Sequence, residues 1–171
     1  MEFFDILGRR HSVRCYSSKA VEDNKLTRIF QAANMAPSAG NLQAYEVYVV
    51  GGQNKRDALA RAALGQDFIR EAPVCLVFCA NPARSAFRYG SRGVQLYCIQ
   101  DATIAATFAM LAAVDQGLAT VWVGAFDEEM VRSVVGVKSV RPVALLPIGY
   151  AAERPEPMGR RAVEDVFHQV K

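Results

Sequence analysis

Six residues near the start of the chain, Arg9-Arg10-His11-Ser12-Val13-Arg14, set three guanidiniums, an imidazole and a hydroxyl side by side. That set suits a phosphate dianion, because arginine forks give charge-assisted contacts and serine adds a short donor. In an extended segment Arg10, Ser12 and Arg14 point to one side, since side chains alternate along the backbone. The same residues also suit a solvated basic turn at a helix C-terminus, where the helix dipole favours cations. A second basic pair, Arg160-Arg161, stands near the other end of the chain. In a small domain the two clusters can meet on one ligand.

Two further segments carry usable groups. Pro37-Ser38-Ala39-Gly40-Asn41-Leu42-Gln43 offers hydroxyls and amides able to pair with the edge of a heteroaromatic ring, or serves as a plain helix-to-strand loop built of turn formers. Trp122-Val123-Gly124-Ala125 gives a wide apolar wall followed by backbone N–H groups that small side chains leave open to a flat ring. The alternative there is a core tryptophan and an ordinary turn. The dinucleotide fingerprint and the P-loop are absent. So are the nucleophile elbow and the zinc-protease helix. His11 and His168 are the only histidines, too few for zinc ligation or a hydrolytic triad. Chemistry in this chain therefore depends on a bound cofactor, or the chain is a binder.

The elements that must position these groups follow from hydrophobic spacing. A short helix is expected over residues 3–9 and a second over 22–35, where Leu26, Ile29, Phe30 and Ala33 form an apolar stripe. Pro37 ends it, because proline disfavours helical geometry in the residue before. Residues 46–50 read as a strand, and residues 54–64 as a helix with a short one after it to 71. The continuous apolar run 73–80 reads as a strand buried on both faces. Residues 81–93 read as a loop with room for some helix, carrying Arg84, Arg88 and Arg92.

A long helix is expected over 96–116, with Gly117 as its cap. Its segment 102–114 is apolar nearly all round, so it should be buried on all sides, with its alanines open to the close approach of a symmetry mate. A strand at 120–123, a short helix capped by Asp127 and a strand at 142–148 complete the order. The tail 151–159 is rich in Pro and Glu and precedes a final amphipathic turn. The order implies an α+β fold: one domain spanning residues 1–171, with a mixed sheet covered by helices on both sides.

Composition agrees with this reading. The 171 residues are 51% hydrophobic and 22% charged, which excludes disorder and collagen-like architectures. A net charge of +3 is too small for a general nucleic-acid or membrane-surface binder, so an anion site must come from local clustering. No apolar run reaches the roughly 18–20 residues needed to span a bilayer, and no signal-peptide layout is seen. Cys15, Cys75, Cys79 and Cys98 read as reduced thiols of a cytoplasmic protein. The basic clusters together with Arg84, Arg88 and Arg92 also permit a phosphodiester-binding surface, which the small net charge disfavours.

Taken in order, RRHSVR, PSAGNLQ, EAP, YGSRGVQLYCIQDA, GLATVWVGAFDEE and RPVALLPIGYAAERP with the closing Arg-Arg resemble the nitroreductase family of FMN-dependent oxidoreductases. The resemblance covers nearly the whole chain and is nearest to the compact bacterial and archaeal members. It implies a central mixed sheet of 4–5 strands and a homodimer with an exchanged C-terminal tail and FMN at the interface. Arg10, Ser12 and Arg14 would hold the ribityl phosphate, His11 would add its backbone or ring, and Arg160 with Arg161 would complete the pocket. Pro37, Ser38, Asn41 and Gln43 would approach the flavin from the other subunit. Trp122, Val123, Gly124 and Ala125 would line its ring, with an N–H of Gly124 or Ala125 facing N5.

The implied activity is hydride transfer from NADH or NADPH through the flavin to a small acceptor such as a nitroaromatic or quinone, with no catalytic side chain. The alternative is a protein that binds or fragments flavin without an external acceptor. Three positions depart from the family pattern. Ala44-Tyr45 stands where Pro-Trp is usual, Gly124-Ala125 where many larger members have Glu-Gly, and Met158 where some have lysine.

Overall fold

The computed structural model describes residues 2–170. Four strands form one sheet: β1 (Tyr45–Val50), β2 (Val74–Ala80), β3 (Ala119–Thr120) and β4 (Arg141–Gly149), in the spatial order β1-β2-β4-β3. All three ladders are antiparallel. Among the described residues the parallel component is one bridge, Ser12 to Thr120, outside the ladders. The mixed character expected of the sheet thus reduces to that bridge.

β2 sits between β1 and β4 and is buried at every residue, as its unbroken apolar run requires. Its pleat divides the core. Leu76 and Phe78 face one way, onto α2 (Asp23–Asn34) and α6 (Cys98–Asp115). Cys75, Val77 and Cys79 face the other, onto α3 (Gln53–Ala62) and α7 (Glu128–Val135). Phe78 is fully buried, worth roughly 1.5–3 kcal/mol relative to an exposed ring. The layers are therefore helix, sheet, helix. α1 (Phe3–Arg9) lies outside them near α6, and α4 (Phe68–Glu71) packs on α3.

Local signals explain most boundaries. The Asp127 carboxylate accepts from Met130 N at 2.8 Å and starts α7, and Gly136 at φ 78° ends it. Gly117 at φ 72° closes α6.

Four expectations need correction. Residues 81–93 are not mainly loop: α5 (Pro82–Arg92) forms there, with Asn81 as its cap and Pro82 in its first turn, and breaks at Gly90. One turn of π-helix, Gly93–Tyr97, then joins α5 to α6.

The second correction concerns the alanines of α6. Ala105, Ala106, Ala109 and Ala113 face the sheet and α2, so the close backbone approach they allow is to this chain's own core. Third, α6 is not buried all round, because Thr107 and Phe108 stand exposed on its outer side and Ile104 and Leu111 are half-buried.

The fourth concerns length. The helical stretch Pro82–Asp115 is 34 residues long, and its best window has a mean hydropathy of 1.4, enough by length and composition to cross a membrane. Half of that window is buried, so the apolar character serves the core. The tail is held by the Tyr16–Ala151 bridge, by Ala152 N donating to Cys15 O at 2.9 Å, and by the Glu153 carboxylate, which accepts from Arg14 N. Beyond these contacts the described residues are almost all exposed, with a single turn at Val163–Asp165.

Candidate functional site

After α1 the chain runs extended along the sheet edge. Ser12 bridges Thr120, and Val13 N donates to Thr120 O at 3.3 Å. Tyr16 pins the same segment from below, donating its buried hydroxyl to Val13 O at 2.8 Å and to Pro147 O at 3.3 Å. Burial pushes the Tyr16 hydroxyl well above its ordinary pKa, so it stays a donor. With Val13 and Tyr16 turned inward, Arg10, His11, Ser12 and Arg14 all line one concave pocket of about 460 Å³. Arg160 reaches the same pocket from the tail, beside Met158 and Glu156.

The two basic clusters therefore meet, although nearly the whole chain lies between them. Three guanidiniums and a hydroxyl against two carboxylates, Glu156 in the lining and Glu153 accepting from Arg14 N, form a donor-rich set, which fits a phosphomonoester. Arg161 stands apart: it donates to Asp165 O and does not line the pocket.

The loop after α2 is built around a residue that the sequence reading passed over. Asp101 of α6 is 2% exposed, and its two carboxylate oxygens accept from Ala39 N at 2.9 Å and Ala44 N at 3.3 Å. One buried side chain thus holds both ends of the loop. Between those anchors Gly40, Asn41 and Gln43 all take positive φ, near 56°, 57° and 48°. Two of the three carry side chains, so this conformation is costly and needs an outside constraint. Ser38 Oγ accepts from Gln43 N at 2.9 Å, and Asn41 Oδ1 accepts from Gln43 Nε2 at 3.1 Å. Asn41 and Pro37 remain exposed, and Pro37 and Ser38 border a groove of about 500 Å³ along α6. The one sequence signal for Asp101 is an acid at the head of a long apolar run.

α5 is fastened to the outside of this loop. Arg84 Nε and Nη2 donate to Leu42 O at 3.2 and 3.0 Å. Gly40 takes a φ of 56° that favours glycine, and it lies close under α5: a β-carbon there would meet the side-chain ends of Tyr89 and Arg88, 2.5 Å from Tyr89 Oη and 2.9 Å from Arg88 Nη1.

The third segment divides. Val123 exchanges two 3.0 Å backbone hydrogen bonds with Leu145 and buries its side chain in the core. Trp122 is half-buried and packs partly on the opposite core cluster. Gly124 and Ala125 are exposed, leaving their backbone open. Gly124 borders a smaller pocket of about 230 Å³ with Ile99, and Ile99 also lines the groove beside Ser38. The loop and the Gly124 turn are thus neighbours across Ile99. The phosphate-type pocket lies elsewhere in the chain, tied to Trp122 through the Ser12–Thr120 bridge two residues before it. One chain does not gather all three segments around a single cavity.

No other chemistry competes. Burial pushes the Cys75 and Cys79 thiols up to about 12, so they are poor nucleophiles. The four cysteines are unpaired, and among the described residues no cluster of His, Cys, Asp and Glu is suited to a metal.

The model of the nitroreductase family matches residues 7–66 and 61–150. The chain is 32% identical to the FMN reductase (NAD(P)H) of Bacillus subtilis strain 168, over 98% of this chain and 73% of that protein. It is 30% identical to the NADH dehydrogenase of Thermus thermophilus, covering 92% and 91% of the two chains. The structure of the hypothetical oxidoreductase YcnD from Bacillus subtilis superposes with a TM-score of 0.91 at 30% identity, over 99% of this chain and 74% of that one.

Proposed function

The chain belongs to the nitroreductase family, and from that premise we propose that it is an FMN-dependent NAD(P)H oxidoreductase delivering reducing equivalents to a small acceptor such as a nitroaromatic or quinone. The observation that carries the reading is the convergence of Arg10, Ser12, Arg14 and Arg160 on one pocket, a donor set fitted to the phosphate that FMN has and riboflavin lacks.

FMN, when bound, supplies two-electron acceptance from a reduced nicotinamide and donation to an acceptor. The work of the chain is to bind, orient and shield. Arg10, Arg14 and Arg160 would hold and neutralise the phosphate, and Ser12 would add a neutral donor. His11 offers either its backbone or its ring to the same group. The exposed turn at Gly124 and Ala125 would offer backbone N–H groups to the flavin ring, and Trp122 would wall it. Ser38, Asn41 and Gln43 supply hydroxyl and amide groups to the ring edge, with Pro37 beside them. No side-chain acid or base is assigned, since the cofactor carries the reaction.

The reading includes a homodimer with the cofactor at its interface. Phe4 is 81% exposed on α1, Met35 is 77% exposed after α2, and Phe108 emerges from α6. The tail beyond Ala151 leaves Phe167 74% exposed. Apolar side chains so placed call for cover, and a second copy supplies it along with the loop of residues 38–43 that one chain keeps away from its own phosphate pocket.

The test is the ligand that purifies with the protein. Heat release should give FMN by mass and fluorescence, and NADH or NADPH should bleach the bound flavin. Addition of menadione should restore the colour over many turnovers. A protein that fails to bind added FMN overturns the reading, and one that binds it without turnover overturns the enzyme.

A further inference from the structure

The three arginines of α5 have no part in the chemistry so far described. Pro82–Arg92 contains no acidic residue, and none of its arginines forms an ion pair among the described residues. Arg84 and Arg88 stand at i and i+4 on one helix face, where like charges destabilise a helix. Arg92 follows the break at Gly90.

Two of the three are engaged by neutral partners. Arg84 donates to Leu42 O, and Arg92 Nε donates to Tyr97 Oη at 2.9 Å. Arg88 is exposed and unspent. Its one recorded interaction is with the ring of Tyr89, 5.5 Å from the centroid, and its Nη1 lies over the bare backbone of Gly40. The positive charge therefore sits on the loop of residues 38–43 rather than on an arbitrary patch of surface.

We infer that Arg88, held over this loop by the Arg84 latch, is a specificity-determining residue that recognises an anionic group on the molecule exchanging electrons with the flavin. The inference rests on the proposed flavin-facing role of the loop. An uncompensated guanidinium beside a flat ring site lowers the free energy of a phosphate or carboxylate arriving there and does nothing for a neutral congener. Two sources fit the same chemistry: the 2′-phosphate that distinguishes NADPH from NADH, and a carboxylate on the acceptor.

Paired substrates separate them. FMN-loaded parent and Arg88→Ala protein are compared with NADPH against NADH, and with 4-nitrobenzoate against 4-nitrobenzyl alcohol. The substitution should raise KM for the member carrying the added anionic group, NADPH or 4-nitrobenzoate, about three- to tenfold, the range for a partly exposed charge contact. It should leave the member without that group, NADH or the alcohol, within about twofold, and Arg88→Lys should restore part of the loss. A binding readout accompanies the kinetics. Calorimetric titration of the loaded protein with 2′,5′-ADP and with 5′-AMP should show a preference for the former, lost in Arg88→Ala, if the nucleotide phosphate is the ligand. If 4-nitrobenzoate alone responds, the acceptor is the source.

Equal effects on both members of both pairs, or none, overturn the inference while leaving an active flavoenzyme. A parent that oxidises neither nucleotide overturns the functional reading instead.

Discussion

Asp101 Oδ1 accepts the amide of Ala39 at 2.9 Å from inside the core, so the first turn of the long helix fixes the start of a loop more than sixty positions earlier. The second oxygen does the same for Ala44 at the far end. Asp101→Ala should strand two buried N–H groups and cost about 3 kcal/mol, roughly 1.5–3 for each hydrogen bond to a charged group less relaxation. Asp101→Asn retains one acceptor and should cost about half as much. Urea unfolding measures both. FMN and riboflavin affinities should fall together, because this loop is assigned to the ring and not to the phosphate. A loss confined to FMN would contradict that assignment.

Arg14→Ala should do the opposite and discriminate between the two ligands. Removing one charge-assisted contact costs on the order of 1.5–3 kcal/mol, roughly ten- to a hundredfold in FMN affinity. Riboflavin, lacking the phosphate, should be held as before. Fluorescence titration of the apoprotein with each ligand gives the comparison, and equal losses would place Arg14 away from the phosphate.

The orientation of α6 selects the residue that tests the dimer. Ala109 is fully buried against the sheet, so a charge there would unfold the chain and say nothing of assembly. Phe108 is 38% exposed on the opposite side. Phe108→Glu should leave a folded protein by circular dichroism and shift light scattering from dimer to monomer. Flavin should be released in the same concentration range. The unfolding midpoint of the parent should rise with protein concentration. A parent that stays monomeric and still holds FMN would end the shared-site reading.

Glu22 gives a pH-dependent signature. Its carboxylate accepts from Tyr150 Oη at 2.6 and 2.9 Å and pairs with Lys19 at 3.4 Å. The Tyr150 hydroxyl first, and Lys19 after it, lower its pKa from 4.5 to about 2. A depressed folded-state pKa stabilises the fold above the unfolded value and loses that effect as pH falls through the folded one. Parent and Glu22→Gln should therefore differ by a constant amount above about pH 5 and converge between about 4.5 and 2. Denaturant midpoints at pH 7, 3.5 and 2 follow this. The group is exposed, so high salt should shrink the gap.

Where a residue's environment is local, the sequence was readable. Leu26, Ile29 and Ala33 of the expected stripe face the core and set α2, whereas Phe30, read with them, is 38% exposed, and the unbroken run through Phe78 sets β2. Arg10, Ser12 and Arg14 share a pocket since an extended segment leaves them little choice, although His11 joins them despite its opposite parity. The inward face of α6 was unreadable for a physical reason: a helix apolar all round carries no periodic signal to say which side meets the core. α5 was obscured by its arginines, which broke the apolar pattern, while Asn81-Pro82 marked its start. Asp101 was missed because its partners are backbone amides, which have no letter in the sequence.

The Ser12–Thr120 and Tyr16–Ala151 bridges, with Arg160 beyond them, also set the order in which the pocket is completed. Pairings between positions so distant are slow to form, since the chain between them must be organised first. During synthesis Arg10 and Arg14 emerge early, and the pocket they line is complete only after β3, β4 and the tail have followed. On the proposed site, cofactor capture would be a late event in the life of each molecule, and a reporter fused to nascent chains should detect flavin retention only in chains extended past Arg160.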